Sequence, residues 1–173
     1  MAMPNPTTPT DQPREETART RPTARPISDR EFVLEHEFTA RADQVFAAYT
    51  DPHLIAQWWV PTGGVLRVES MDPRPGGAWR FVQPMPNGQE ITYRGSYLEV
   101  RPPTRLAYTF EIEGQAGSEL TATIDLEEVH GTTRLKLTNL CASQEARDAM
   151  VKYGAAAGAR AAWTRLGGVL SRA

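Results

Sequence analysis

Hydrophobic and polar positions alternate through most of this chain, and the period changes at only a few places. Phe32, Leu34, His36 and Phe38 share one parity against Val33, Glu35 and Glu37, which reads as a strand in the segment beginning at Ile27. Helical spacing follows from Thr39 to Tyr49, with Val45, Phe46 and Tyr49 on one side. Asp51-Pro52 ends that helix and starts a short second one, His53 to about Gln57. Strand runs then recur over Val65–Met71, Ala78–Val82, Glu90–Val100, Arg105–Ile112, Leu120–Leu126 and Thr132–Leu140. Turn signals separate them: Arg74-Pro75-Gly76-Gly77, Pro86-Asn87-Gly88, Pro102-Pro103, Gly114–Ser118 and His130-Gly131. Ser143 is placed to cap a helix that runs without proline to about Leu170.

That order predicts an α+β domain over residues 28–173. A curved antiparallel sheet of about six or seven strands would wrap one long C-terminal helix, a helix-grip, with two short helices after the first strand. The tail before it, residues 1–27, holds Pro4, Pro6, Pro9, Pro13, Pro22 and Pro26, six of the chain's 14 prolines. With so few apolar side chains to repay ordering, it reads as a disordered extension.

Composition narrows the chemistry. The 19 Lys and Arg nearly balance 21 Asp and Glu, so no nucleic-acid footprint is visible. Cys141 is the single cysteine, which rules out an internal disulfide and thiolate-rich zinc sites. His36, His53 and His130 are scattered, and no metal-ligand spacing, phosphate loop or dinucleotide fingerprint occurs, so neither a metal nor a cofactor is expected. No apolar run is long enough to span a membrane and no secretory core is visible, so a cytoplasmic location is the expectation.

The densest block of local signals is Trp58-Trp59 before Pro61-Thr62-Gly63-Gly64, followed by Asp72 to Trp79. With Val45 to Pro52, Gly95-x-Tyr97-x-Glu99-Val100-x-Pro102-Pro103-x-Arg105-Leu106 and Gly131 to Leu135, it carries a resemblance over about residues 31–170. The chain resembles the homologues of the heat-shock-protein-90 ATPase activator, within the START-like (SRPBCC) superfamily. The resemblance implies a helix-grip with an apolar cavity between sheet and C-terminal helix, a small hydrophobic ligand, and a link to stress response. Two positions depart from the family pattern: Thr138-Asn139 stands for a common Thr-His pair, and Gly158-Ala159 for a common Gly-Trp.

Strand parity turns Trp79, Phe81, Tyr93 and Tyr97 toward the helix, together with Tyr108, Phe110 and Asn139. Facing them, Gly154 to Ala162 is almost entirely small residues. Small side chains opposite aromatics leave a hollow, or else let helix and sheet close up and fill it; the hollow is the expectation adopted. Trp59, Met150, Tyr153 and Ala157 complete the expected ligand-binding set. A carrier of a small apolar or aromatic ligand, with no catalytic residue, is the leading reading. An enzyme of cyclase, hydrolase or lyase type in the same cavity is the alternative, with the tyrosines or His36 as its only visible candidates. A module acting on a chaperone ATPase ranks last, and a homodimer is left open.

Overall fold

The structure is a computed structural model of the chain and describes residues 23–60 and 62–172. The strands are β1 (Arg25–Pro26), β2 (Glu31–Phe38), β3 (Arg67–Met71), β4 (Ala78–Pro84), β5 (Glu90–Arg101), β6 (Arg105–Ile112), β7 (Leu120–Val129) and β8 (Thr132–Cys141). Helices α1 (Ala42–Thr50) and α2 (Pro52–Ile55) lie between β2 and β3, and α3 (Gln144–Tyr153) and α4 (Ala155–Leu170) close the chain. All strand pairs are antiparallel in the order β1-β2-β8-β7-β6-β5-β4-β3. The fold is therefore the expected α+β helix-grip, with eight strands in its curved sheet in place of six or seven.

The additional strand comes from the segment assigned to the tail. Arg25 and Pro26 pair with Val33 and Phe32, so ordered chain begins before residue 28; residues 1–22 of the expected tail lie outside the described residues. Asp51 explains the break between α1 and α2. Its carboxylate accepts from the His53 and Leu54 backbone N–H groups at 2.7 and 3.1 Å, and Pro52 occupies the first turn where no N–H is needed.

The expected single C-terminal helix is two helices, a correction traceable to one residue. Gly154 sits at φ 149°, ψ 2°, outside the helical region and accessible to a residue without Cβ. The halves differ: α3 has no buried residue, whereas α4 buries Ala162, Trp163, Leu166, Val169 and Leu170. Fully burying side chains such as Trp163 and Leu166 contributes roughly 2–3 kcal/mol each, so α4 is the half that fixes the helix to the sheet.

Two close backbone approaches shape the β3–β6 end. At Gly77 an added Cβ would lie 1.9 Å from the Asp72 carbonyl oxygen, inside a turn that docks on β5 through Gly76 N–H to Tyr97 O and Tyr97 N–H to Gly77 O, both 2.8 Å. At Gly95 an added Cβ would lie 1.8 Å from the Thr109 carbonyl oxygen and 2.8 Å from Trp79 Nε1. A register shift between Tyr97 and Glu99 leaves Leu98 half exposed and bends β5.

Because backbone, not a flexible side chain, blocks residue 95, Gly95→Ala must spread β5 from β6. It is expected to destabilise the protein by about 3 kcal/mol, measured as a lower urea midpoint with unchanged slope. A loss below about 0.5 kcal/mol would show that the sheet absorbs the methyl group without strain.

Candidate functional site

One cleft of about 900 Å³ lies between the sheet's inner face, the turn holding Gln115 and Ser118, α3 and α4. Helical phase sets its α4 wall: Ala155, Gly158, Ala159, Ala162 and Trp163 recur at three- and four-residue spacing and line it together. The sheet contributes Phe32 and Leu34 from β2, Tyr108, Phe110 and Ile112 from β6, Leu120 from β7, and Leu137 and Asn139 from β8. Tyr49, Trp58 and Trp59 close the end nearest the short helices, and Met150, Tyr153 and Glu145 stand on the α3 side.

Of the expected ligand-binding set, six residues meet here: Trp59, Tyr108, Phe110, Asn139, Met150 and Tyr153. Five do not. Trp79, Phe81 and Tyr97 point inward as parity predicts, but they pack under Trp59, Ile55 and Leu106 around a gap of only about 10 Å³. Ring contacts such as Trp79–Phe81 (4.8 Å between centroids) and Trp59–Phe81 (5.5 Å) make that end a solid aromatic plug. Tyr93 is outside the cleft and donates its hydroxyl to Gln83 Oε1 at 2.8 Å. Ala157 is exposed on the outer side of α4, because six residues before Trp163 lies about a third of a turn away round the helix. Sequence reading omits Trp163, Tyr49 and Trp58 from the set; counting back from Trp163 by four selects Ala159 instead.

Hydrogen bonds fix the floor. Trp163 Nε1 donates to the Tyr49 hydroxyl at 2.9 Å, joining α4 to α1, and Trp58 Nε1 donates to the Ala48 carbonyl at 3.0 Å. Tyr108 and Asn139 are 8% and 6% exposed and border the cleft, yet neither side chain has a hydrogen-bond partner among the described residues. Burial, reinforced by the neighbouring Tyr49 and Tyr97 phenols, pushes Tyr108 well above the ordinary tyrosine range. Burial raises Tyr49 as well, the bond from Trp163 acting the other way. Both phenols are therefore neutral hydrogen-bond donors near neutral pH. Glu145 sits at the rim with its carboxyl lowered, first by its own backbone N–H and then by Ser143, and so is ionised.

Other candidates fall elsewhere. His36 is half-buried outside the cleft, stacked on Trp163 (5.5 Å, 20°) and edge-on to Phe38 (4.7 Å), with Nδ1 buried and unpartnered. Cys141 is buried with Sγ 3.8 Å from Met150 Sδ, and burial raises its thiol. Asp72 and Arg74 pair with each other at 2.8 Å in solvent. The outer sheet face carries mixed charges, with Arg80 meeting Glu69 and Glu113 at 2.9 and 3.1 Å and Arg94 meeting Glu111. Among the described residues no group of three metal-ligating side chains converges, and no helix is long and apolar enough to cross a membrane.

The family model described as "Activator of Hsp90 ATPase homolog 1-like protein" matches residues 39–171. The chain belongs to that family. Among solved structures, a Rhodobacter sphaeroides protein is 27% identical with TM-score 0.80, covering 87% of this chain and 98% of its own. Protein Ms6760 of Mycobacterium smegmatis is 21% identical with TM-score 0.77, covering 88% and 98%, and protein NE0264 of Nitrosomonas europaea is 25% identical with TM-score 0.73, covering 85% and 97%. A comparison with curated proteins finds no match. These likenesses agree on the START-like fold and leave the cleft's occupant to be argued from its own residues.

His36 makes stability pH-dependent in a defined sense. Burial lowers its pKa below the ordinary 6.5, while Glu37 acts in the opposite direction. The unfolded chain then binds the proton more readily than the folded one, so the contribution is intact above about pH 6.5 and is lost as pH falls from there through the folded value. Thermal unfolding between about pH 7.5 and 5.5 should show this loss reduced in His36→Phe; an identical slope in both proteins would contradict it.

Proposed function

We propose that the protein binds a small, largely apolar molecule in this cleft and carries or sequesters it. The observation that supports the reading is the pairing of an aromatic sheet face with a small-residue stripe on α4, which leaves about 900 Å³ of space. Cavities that hold small ligands are typically on the order of 300–1,000 Å³ and combine apolar walls with a few placed polar groups. Tyr108 and Asn139 are such groups here: nine-tenths buried, facing the space, and without partners among the described residues. An occupant with a polar atom facing them would gain a hydrogen bond worth about 0.5–1.5 kcal/mol net.

The enzyme reading has less support. Tyr49 and Tyr108 are driven away from acid–base use near neutral pH by burial. His36 lies behind Trp163 instead of in the cleft. The chaperone reading rests on the family description alone.

The residue to fill is Ala159, with Ala157 as its control on the exposed face. Titration with the neutral fluorophore N-phenyl-1-naphthylamine should give saturable binding that Ala159→Trp weakens at least about tenfold, on the order of 1.4 kcal/mol. Ala157→Trp should bind as the wild type does. Equal effects of the two substitutions would remove the cleft from consideration.

A further inference from the structure

The register of the sheet places the two unpartnered polar groups in one row. Tyr108 on β6 pairs with Ala122 on β7, and Ala122 pairs with Asn139 on β8. Directly paired residues share a face, so all three project to the inside. Two strand spacings, about 10 Å, separate the Tyr108 and Asn139 Cα atoms. Ala122 between them is buried in the core and does not itself line the cleft. The row is bounded by Phe32, opposite Asn139, and by Tyr97, opposite Tyr108. The cleft is thus bordered by a phenol from β6 and an amide from β8 on the same sheet face.

Charge restricts what can occupy the cleft. The chain has 19 Lys and Arg, yet among the described residues none of them lines the cleft, and no histidine does. The one charged side chain among the described residues of its wall is Glu145, an ionised carboxylate at the rim. Lys152 stands nearby but lies over the Tyr153 ring, 4.9 Å from its centroid, at the exposed side of α3. An anionic head seated at the buried end would find no counter-charge, and taking an ion from water without one costs several kcal/mol. An anion at the mouth would face Glu145.

Resting on the ligand-binding reading above, we propose that the cleft selects an uncharged, ring-bearing molecule with a hydrogen-bond-accepting oxygen, a ketone or a phenol ether in type, and discriminates against carboxylates of the same shape. Its oxygen accepts from the Tyr108 hydroxyl or the Asn139 amide N–H, the two polar groups that border the space from the sheet. The ring system lies against Phe110 and the small face of α4, with its far end toward Glu145.

A matched pair of fluorophores tests this. One is 6-propionyl-2-(dimethylamino)naphthalene, whose emission shifts red when its carbonyl is hydrogen-bonded. The other is 6-(dimethylamino)-2-naphthoate, the same ring with a carboxylate in place of the ketone. The full-length wild type should bind the ketone at least about tenfold tighter than the carboxylate at about pH 7.5. Asn139→Leu and Tyr108→Phe should each weaken the ketone about fivefold, the scale of one net hydrogen bond, and at least one should shift the bound probe's emission to the blue, which a purely packing role would not do. The carboxylate binding as tightly as the ketone overturns the proposal, as does an emission maximum unmoved in both variants. If neither fluorophore binds the wild type, and N-phenyl-1-naphthylamine does not either, the ligand-binding reading itself fails. The comparison of the two probes on the wild type stands whether or not either variant folds.

Discussion

The hydrogen bond from Trp163 to Tyr49 sets the distance between the last helix and the rest of the molecule. It is buried, 2.9 Å long, and joins residues 114 apart in sequence. Around it the second half of α4 is fully packed, with Leu166 and Val169 closed off from solvent. Toward its start, α4 offers only alanine and glycine to the sheet. A helix is stiff over this length, so pinning one end at a spacing set by tryptophan holds the other end off the sheet as well. The hollow is therefore a consequence of where the large side chain is placed along α4. Moving bulk one turn toward Ala159 would fill it.

The same sheet does two jobs because its ends are packed differently. Beneath α1 and α2, Trp59, Trp79, Phe81 and Tyr97 interlock and leave almost no space. The Arg-Pro-Gly-Gly turn locks onto β5 next to this plug, and Gly95 lets β5 approach β6 under the Trp79 ring. That rigid end gives the open end fixed walls. Outside, Arg and Glu alternate across strands in exposed pairs, each worth little individually but enough to keep an antiparallel face solvated.

Period and turn chemistry make the element order, the antiparallel arrangement and the inward face of each strand readable from sequence. They cannot distinguish inward-and-packed from inward-and-open. Trp79 and Phe110 share one parity class, yet only Phe110 borders the cleft, because depth depends on which helix lies above. Ala157 escapes the same logic for a related reason: a run of alanine and glycine carries no hydrophobic contrast, so its phase is fixed only by Trp163 farther along. Gly154 hides in the same run. A glycine among helix-tolerant neighbours signals a break only when its backbone angles are known. At the other terminus the strand Arg25–Pro26 is too short to show any alternation, so pattern alone leaves it in the tail.

Gly154 also divides the C-terminal region thermodynamically. Every residue of α3 keeps some contact with solvent; it is tied to the body by Arg147 to the Ser28 carbonyl, Met150 to Cys141, and the partly buried Ala146, Met150 and Val151 against the core. A segment with no fully buried side chain opens at a lower free energy than the packed core. α4 stays anchored when that happens, since its core contacts lie beyond the break. The break at Gly154 thus separates an outer helix that lines the cleft mouth from an inner one that belongs to the core.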